Sequence, residues 1–453
     1  MSGPFTDDDA GPDADDGEPA GPGSRETRDA VPRRAVLRFG TVAAAGAGAA
    51  ALIPAATGRA AAAGFESIAD PNVSLTAQAM NEAFGGVWVP PRTLERWMCS
   101  PKPLRHIVCI GDSITSGKVG GFNYANVKKG SWSERLAMAA SHAIGPDSGY
   151  GFRGLWLRNG YQPEWKAVGT WTLTSPSDPF DVCPFGEGLR SNGGPSATLT
   201  WTTPGPVTVA GFDLYWFNMA GAGNWQYRVD NGPWVNMNQA LSPTDNKLHK
   251  FYVGQRVQTS VDIRAYNGSA PCHAPIGGIG IYSVDPNTQR GLIVHNLGAG
   301  AGFLSDLVRS SSGDPLAWFD AVVSNPVSLA IQPDLMIAMF SNDVIQNNVN
   351  WWKTNLMTLV NRVRKYSDVL LMNPYERDGY STTVQAQYRS ATRDVANDRR
   401  CALLDLYAAY AAAGATGWSA ANRVGLMLDG LHPSQIGHDD IAGRVWRLLR
   451  TFS

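Results

Sequence analysis

The chain is short of the features that mark several protein classes. Its 7 histidines and 5 cysteines are scattered, with no CxxC pair and no Cys/His cluster, so the pattern of a structural zinc site is absent. Lys and Arg number 38 against 39 Asp and Glu, for a formal net charge of -1. No basic run of the kind that tracks a phosphate backbone is present, which argues against a nucleic-acid partner. Internal repeats are missing, and beyond the N-terminal region no stretch is long and apolar enough to span a bilayer. What remains, 43% hydrophobic and 17% charged over 453 residues, is a globular composition with room for a sizeable core and more than one domain.

The first 64 residues read as a targeting segment rather than part of a fold. Asp7, Asp8, Asp9, Asp13, Asp15, Asp16 and Glu18 sit among Gly and Pro, a composition that buries too little apolar surface to order itself. Arg33-Arg34 follows, then Leu37-Arg38-Phe39, an Ala/Gly-rich apolar run from Thr41 to Thr57, and small residues from Ala60 to Gly64. A twin arginine, a mildly apolar core and an Ala-x-Ala-like end predict a twin-arginine export signal, removed on secretion. A retained anchor is disfavoured because an Ala/Gly-rich run holds a bilayer weakly. The expected location is outside the cell or at the cell wall. In that oxidising setting Cys183 and Cys272, which share the middle region, are a candidate pair, whereas Cys109 in an apolar strand is expected to be a buried thiol.

Three regions follow a lead-in over residues 65–103 of weak helical character. Over 104–148, His106–Ile110 is a continuous apolar run ending at Gly111, the mark of a buried parallel strand, and Ser131-Trp132-Ser133-Glu134 is a capping box opening a helix to Ile144. Over 149–289 the chain turns rich in Gly, Pro, Thr and Trp with short alternating runs, which predicts an all-β, sandwich-like insertion. Within it, Asn231-Gly232 reads as the tight primed turn of a hairpin. Trp156, Trp165, Trp171, Trp201, Trp216, Trp225 and Trp234 fall here. They suit either a sugar-binding face or the core of the insertion. Over 290–453, strands at Leu292–His295, Asp334–Phe340, Val369–Met372 and Ala402–Leu406 alternate with helical stretches at Trp351–Tyr366 and Thr383–Arg399. Strand–helix alternation means a parallel sheet with helices on both faces.

Two motifs stand at opposite ends of the α/β part. Gly111-Asp112-Ser113-Ile114-Thr115 directly follows the first strand, and Asp429-Gly430-Leu431-His432-Pro433 precedes the last helix. A serine at the C-terminal end of a parallel strand lies where open α/β sheets bind ligands. Serine needs a base to take its proton, which His432 can supply, and Asp429 is placed to hold the other ring nitrogen in the right tautomer. Asp112, Asp343 and Asp405 read as loop-organising, and His106, His142, His249, His273, His295 and His438 as structural or surface residues.

These motifs, GDSIT and DGLHPSQIGH, resemble those of the SGNH or GDSL-type serine hydrolases over residues 104–146 and 291–450. The resemblance implies a flavodoxin-like three-layer α/β/α fold, here interrupted by the β insertion. It implies Ser113 as nucleophile, His432 as general base then acid, Asp429 as its orienting partner, and no cofactor or metal. Two middle motifs depart from the family pattern. Phe340-Ser341-Asn342-Asp343 keeps the asparagine whose amide faces the oxyanion but replaces a glycine with Phe340. In Asn296–Gly302 the register is open: a gap-free alignment places Ala301 at the family's glycine, and Gly300 is the first choice for the backbone donor. The resemblance implies ester hydrolysis, and the export signal together with the Trp-rich β region points to an acylated polysaccharide or cell-envelope glycan as the expected substrate. A lipase or short-chain carboxylesterase is the enzymatic alternative, and a degenerate scaffold carrying a glycan-binding β module is the non-enzymatic one.

Overall fold

The computed structural model describes residues 87–88, 93–100, 102–117, 131–145, 149–154, 165–173, 189–191, 196–202, 209–218, 224–237, 245–256, 259–266, 276–282, 291–298, 302–308, 333–412, 422 and 425–451. The export signal and the Cys183–Cys272 pair lie outside them. Among the described residues no helix is long and apolar enough to cross a membrane.

In chain order the elements begin with β1 (Val87–Trp88), α1 (Glu95–Cys99), β2 (Leu104–Gly111), the single turn α2 (Ser113–Ser116) and α3 (Trp132–Ile144). The β-rich region supplies β3 (Gly149–Gly154), β4 (Trp165–Val168), β5 (Trp171–Leu173), β6 (Leu189–Ser191), β7 (Thr198–Thr202) and β8 (Val209–Asn218). It continues with β9 (Trp225–Val229), β10 (Val235–Met237), β11 (Asp245–Arg256), β12 (Ser260–Ala265) and β13 (Ile276–Tyr282). The α/β part resumes with β14 (Gly291–Gly298), α4 (Leu304–Val308), β15 (Leu335–Met339), a 3-10 turn (Asn342–Gln346) and α5 (Val349–Val363). It closes with β16 (Asp368–Asn373), α6 (Thr382–Arg399), β17 (Ala402–Asp405), α7 (Leu406–Ala412) and α8 (Gln435–Thr451).

Five of these strands form a parallel core in the order β14-β2-β15-β16-β17. Counted along the chain that is 2-1-3-4-5, the flavodoxin-like order, and the direction of winding reverses between β2 and β15. Cys109 in β2 pairs across to Asn296 in β14 and to Ile337 in β15. Successive side chains leave a strand on opposite faces, so β2 feeds two cores. Val108 and Ile110 pack with Leu304 of α4, Leu356 and Val360 of α5 and Val395 of α6. Ile107 and Cys109 pack with Trp132 and Leu136 of α3 and Ile441, Val445 and Leu448 of α8. Burial on both faces is why these strands are continuous apolar runs rather than alternating ones.

Local signals set several boundaries. Ser131 Oγ accepts the Glu134 N–H at 3.0 Å, so the capping box starts α3 where the sequence places it. α6 stops at Arg400, which is left-handed at φ 50. Cys109 and Cys401 are buried thiols, which burial pushes well up for Cys109 and up to about 12 for Cys401.

The β-rich region is tied to the parallel sheet. β3 pairs in parallel with β14, and β13 then joins β3 antiparallel, followed by β8 and β11. The edge of β14 is thereby covered instead of left open for pairing with another chain. A second, five-stranded antiparallel sheet runs β10-β9-β12-β7-β4. On one face it buries Trp165, Leu199, Trp201, Trp225, Val261 and Ile263, so three of the tryptophans are core residues. Trp171 is buried as well, while Trp156 and the Trp216 side chain lie outside the described residues. Trp234 is half-buried, with the guanidinium groups of Arg228 and Arg264 at 4.6 and 3.9 Å from its ring centre.

Two expectations need correction. The turn after β9 is centred one residue earlier than Asn231-Gly232. Asp230 (φ 49) and Asn231 (φ 60) are the left-handed pair, and the Gly232 N–H donates to the Val229 carbonyl at 2.8 Å. Asp230 also accepts from Thr259 Oγ1 and from the Ser260 N–H, which anchors it at the turn's first central position. The lead-in, read as weakly helical, contributes α1 but also β1, which pairs antiparallel with β17 and protects that edge of the sheet.

Candidate active site

The C-terminal ends of β2, β14 and β15 converge at the switch point of the sheet. β2 ends at Gly111, where a Cβ would stand 2.1 Å from the Met339 carbonyl oxygen and 2.2 Å from Thr115 Oγ1. Asp112 follows in extended conformation and caps α2, accepting the Ile114 N–H at 3.0 Å. Ser113 is therefore the first residue of a helical turn, where backbone N–H groups have no intrahelical partner. Its side chain is buried beside the end of the parallel sheet.

Asp112 does more than cap. Its Oδ2 accepts from the Ser341 N–H (2.5 Å), the Ser341 hydroxyl (2.5 Å) and the Asn342 N–H (3.1 Å). One carboxylate thus ties the serine turn after β2 to the loop after β15. Asn342 is held there by its backbone, and its amide nitrogen donates to the Gly302 carbonyl at 3.2 Å. Arg377 Nη1 donates to Asn342 Oδ1 at 3.0 Å.

His432 arrives from the far end of the chain. Its loop is a tight reversal in which Met427 bridges antiparallel to Pro433, the Leu428 N–H meets the His432 carbonyl at 3.1 Å, and the Asp378 N–H donates to the Gly430 carbonyl at 2.8 Å. His432 Nε2 lies 3.0 Å from Ser113 Oγ. His432 Nδ1 lies 2.9 and 3.1 Å from the two Asp429 oxygens. Asp429 Oδ1 also accepts the N–H groups of Leu431 (2.8 Å) and His432 (2.6 Å). Burial alone would raise the Asp429 carboxyl. The hydrogen bonds from the His432 ring and backbone and from the Leu431 backbone outweigh it and hold the carboxyl well below the usual carboxylate range. The constellation is a hydroxyl, a base and an orienting carboxylate in line, the arrangement that acyl transfer needs.

Of the residues singled out by sequence, Ser113, His432 and Asp429 come together as one chain of hydrogen bonds, and Asn342 joins them through Asp112. Gly300 lies outside the described residues. Its described neighbours are Gly298, where a Cβ would sit 2.2 Å from the Ser116 nitrogen, and Gly302, which accepts from Asn342. The Gly298 N–H is bonded to Asn296 Oδ1 at 2.9 Å, so that glycine serves close approach of β14 to the serine turn. Phe340 turns into the core, edge-on to Trp352 with ring centres 6.3 Å apart. Asp343 caps α4 through the Leu304 N–H, and Asp405 pairs with Arg389 and Arg393. His438 Nδ1 accepts the Trp132 N–H at 3.2 Å, fastening α8 to the start of α3. His106 of β2 and His295 of β14 bond to each other at 2.9 Å. Sequence reasoning missed Arg377 and the packing role of Gly298. The first carries no motif, and the second is hidden in a glycine-rich run with Gly300 and Gly302.

No protein-family model and no curated protein matches the sequence. Among solved structures, that of a peptidoglycan O-acetylesterase superposes with a TM-score of 0.54 at 17% identity, over 80% of this chain and 95% of its own. A family two carbohydrate esterase from Cellvibrio japonicus gives 0.24 at 11% identity, over 64% and 95%. A lipolytic protein of the G-D-S-L family from Desulfitobacterium hafniense gives 0.28 at 18%, over 35% and 81%. The first likeness establishes the shared fold; the other two are too distant to add to it.

Proposed function

We propose that this chain is a serine esterase of the SGNH type that removes acyl groups, acetyl foremost, from a polysaccharide or cell-envelope glycan outside the cell. The observation that carries the reading is the continuous contact Ser113 Oγ, His432 Nε2, His432 Nδ1, Asp429, built from residues 319 apart in sequence. A glycan substrate is favoured by the shared fold with a peptidoglycan O-acetylesterase and by the twin-arginine signal in the sequence.

In this mechanism His432 Nε2 takes the Ser113 proton as Oγ attacks the ester carbonyl. Asp429 keeps Nδ1 protonated, so that Nε2 is the basic nitrogen, and then stabilises the imidazolium. The tetrahedral oxyanion is met by the N–H groups of Ser113 and Gly300 and by the Asn342 amide. Collapse expels the sugar alkoxide, which takes the proton from His432. Water then enters, His432 acts as base a second time, and the acyl group leaves as a carboxylic acid while Ser113 is restored. Each oxyanion donor contributes roughly 100- to 1,000-fold in rate.

Hydrolysis of a chromogenic ester series from acetyl to octanoyl, by the mature protein beside Ser113→Ala, tests the reading. Serine-dependent turnover that falls steeply beyond acetyl or butyryl is expected. Equal turnover by Ser113→Ala overturns the mechanism, and a preference for octanoyl overturns the glycan assignment in favour of a lipase.

A further inference from the structure

We propose that Arg377 is a positioning residue for the reaction: its guanidinium fixes the Asn342 carboxamide with the amino group toward the oxyanion. The proposal rests on the reading of Asn342 as an oxyanion donor and names what makes that donor available.

An asparagine amide has two faces, and a flip exchanges donor for acceptor. A guanidinium has donors only, so the group 3.0 Å from Arg377 Nη1 is the amide oxygen. The flipped amide would set NH2 against a cation. With Oδ1 held by Arg377, Nδ2 points the other way, gives one hydrogen to the Gly302 carbonyl and retains the second for a ligand. The Asn342 backbone is fastened separately by Asp112. Three anchors on one buried residue, from β2, from the loop after β14 and from the loop after β16, fix the direction of that second hydrogen.

Arg377 is itself held without reference to its side chain. Gln385 of α6 accepts the Arg377 N–H at 2.6 Å and donates to its carbonyl at 2.9 Å. The guanidinium lies 5.1 Å from the Tyr380 ring centre, and Arg377 lines a small pocket with Phe340, Trp352 and Glu376. Shortening the side chain therefore leaves the loop in place. A cation on the amide oxygen also polarises the N–H bonds, which strengthens them most when the oxyanion carries charge.

The test uses Arg377→Met, which keeps the stem and removes the donors. Its kcat on an acetyl ester should fall roughly 10- to 100-fold, below the roughly 100- to 1,000-fold ceiling set by Asn342→Ala, with KM within about twofold of wild type. Adding Arg377→Met to Asn342→Ala should cost nothing further, since both act through one amide. Arg377→Lys, and millimolar guanidinium added to Arg377→Ala, should restore part of kcat. Wild-type kcat in Arg377→Met beside an impaired Asn342→Ala overturns the proposal and leaves the esterase reading standing. A loss that adds to that of Asn342→Ala, or that appears in KM alone, overturns it too. Wild-type turnover by Asn342→Ala removes the oxyanion role of Asn342 and the proposal with it.

Discussion

Replacing Asp112 by Asn separates a loop-organising carboxylate from a chemical one. The side chain is fully buried and accepts four hydrogen bonds, one on Oδ1 and three on Oδ2. In Asp112→Asn the amide oxygen is best spent on the three donors of Ser341 and Asn342. The NH2 then faces the Ile114 N–H, and a buried donor loses its acceptor, at about 1–3 kcal/mol. The three remaining bonds change from charge-assisted to neutral, at about 1 kcal/mol each. Against this, a buried charge no longer has to be desolvated, which returns several kcal/mol of the roughly 4–6 lost. The net expectation is a destabilisation of about 2–3 kcal/mol, read from the urea midpoint at unchanged slope. Because Asn342 shifts with its loop, kcat should fall by roughly 10- to 100-fold, within the range of losing one oxyanion donor. Unchanged stability would refute the knot, and unchanged stability with a loss beyond about 1,000-fold would mean that Asp112 takes part in the chemistry.

Two further outcomes follow from the same geometry. In Asp429→Asn, Oδ1 stays on the two backbone N–H groups and the new NH2 replaces Oδ2 against His432 Nδ1. Nδ1 must then accept, Nε2 carries the proton toward Ser113, and kcat should drop by roughly 1,000- to 10,000-fold with little change in KM; retention of more than a tenth of activity would rule this out. His295 is kept neutral by burial and by His106, with its proton affinity well below the usual histidine range. The unfolded chain takes a proton there below about pH 6.5 while the folded chain does not, so this site's stability is full above that pH and declines as pH falls beneath it, by up to about 1.4 kcal/mol per unit. Thermal melts of wild type and His295→Gln from pH 7 to 5 should show a shallower acid slope in the variant; identical slopes would refute the account.

Much of the fold is legible in the sequence because its signals are local. Apolar runs of strand length, helices between them and the Ser131 capping box each depend on a few neighbouring residues. The turn at Asp230-Asn231 is displaced by one from its expected place because its position depends on Thr259 and Ser260, 29 and 30 residues away. The placing of tryptophans has the same limit. Trp201 alternates with Thr200 and Thr202, yet which face is core depends on what β12 and β4 bring beside it, Val261 and Trp165 at its own register.

Chain order and local pattern suffice to put a serine at the end of the first parallel strand and an Asp-x-x-His pair before the last helix. A flavodoxin-like strand order carries both to the same end of the sheet, so their meeting is implied by topology. The partners that follow no spacing rule come from the folded arrangement. Arg377 reaches Asn342 because β15 and β16 pair side by side in parallel, which brings the loops that follow them next to each other. Asp112 finds Ser341 because β2 and β15 are paired at Gly111 and Met339. Gly298 must lack a side chain because β14 ends against the serine turn. Hydrogen bonds and close approaches of this kind act over about 3 Å in space and at any distance in sequence, so they become visible only once the register of the strands is set.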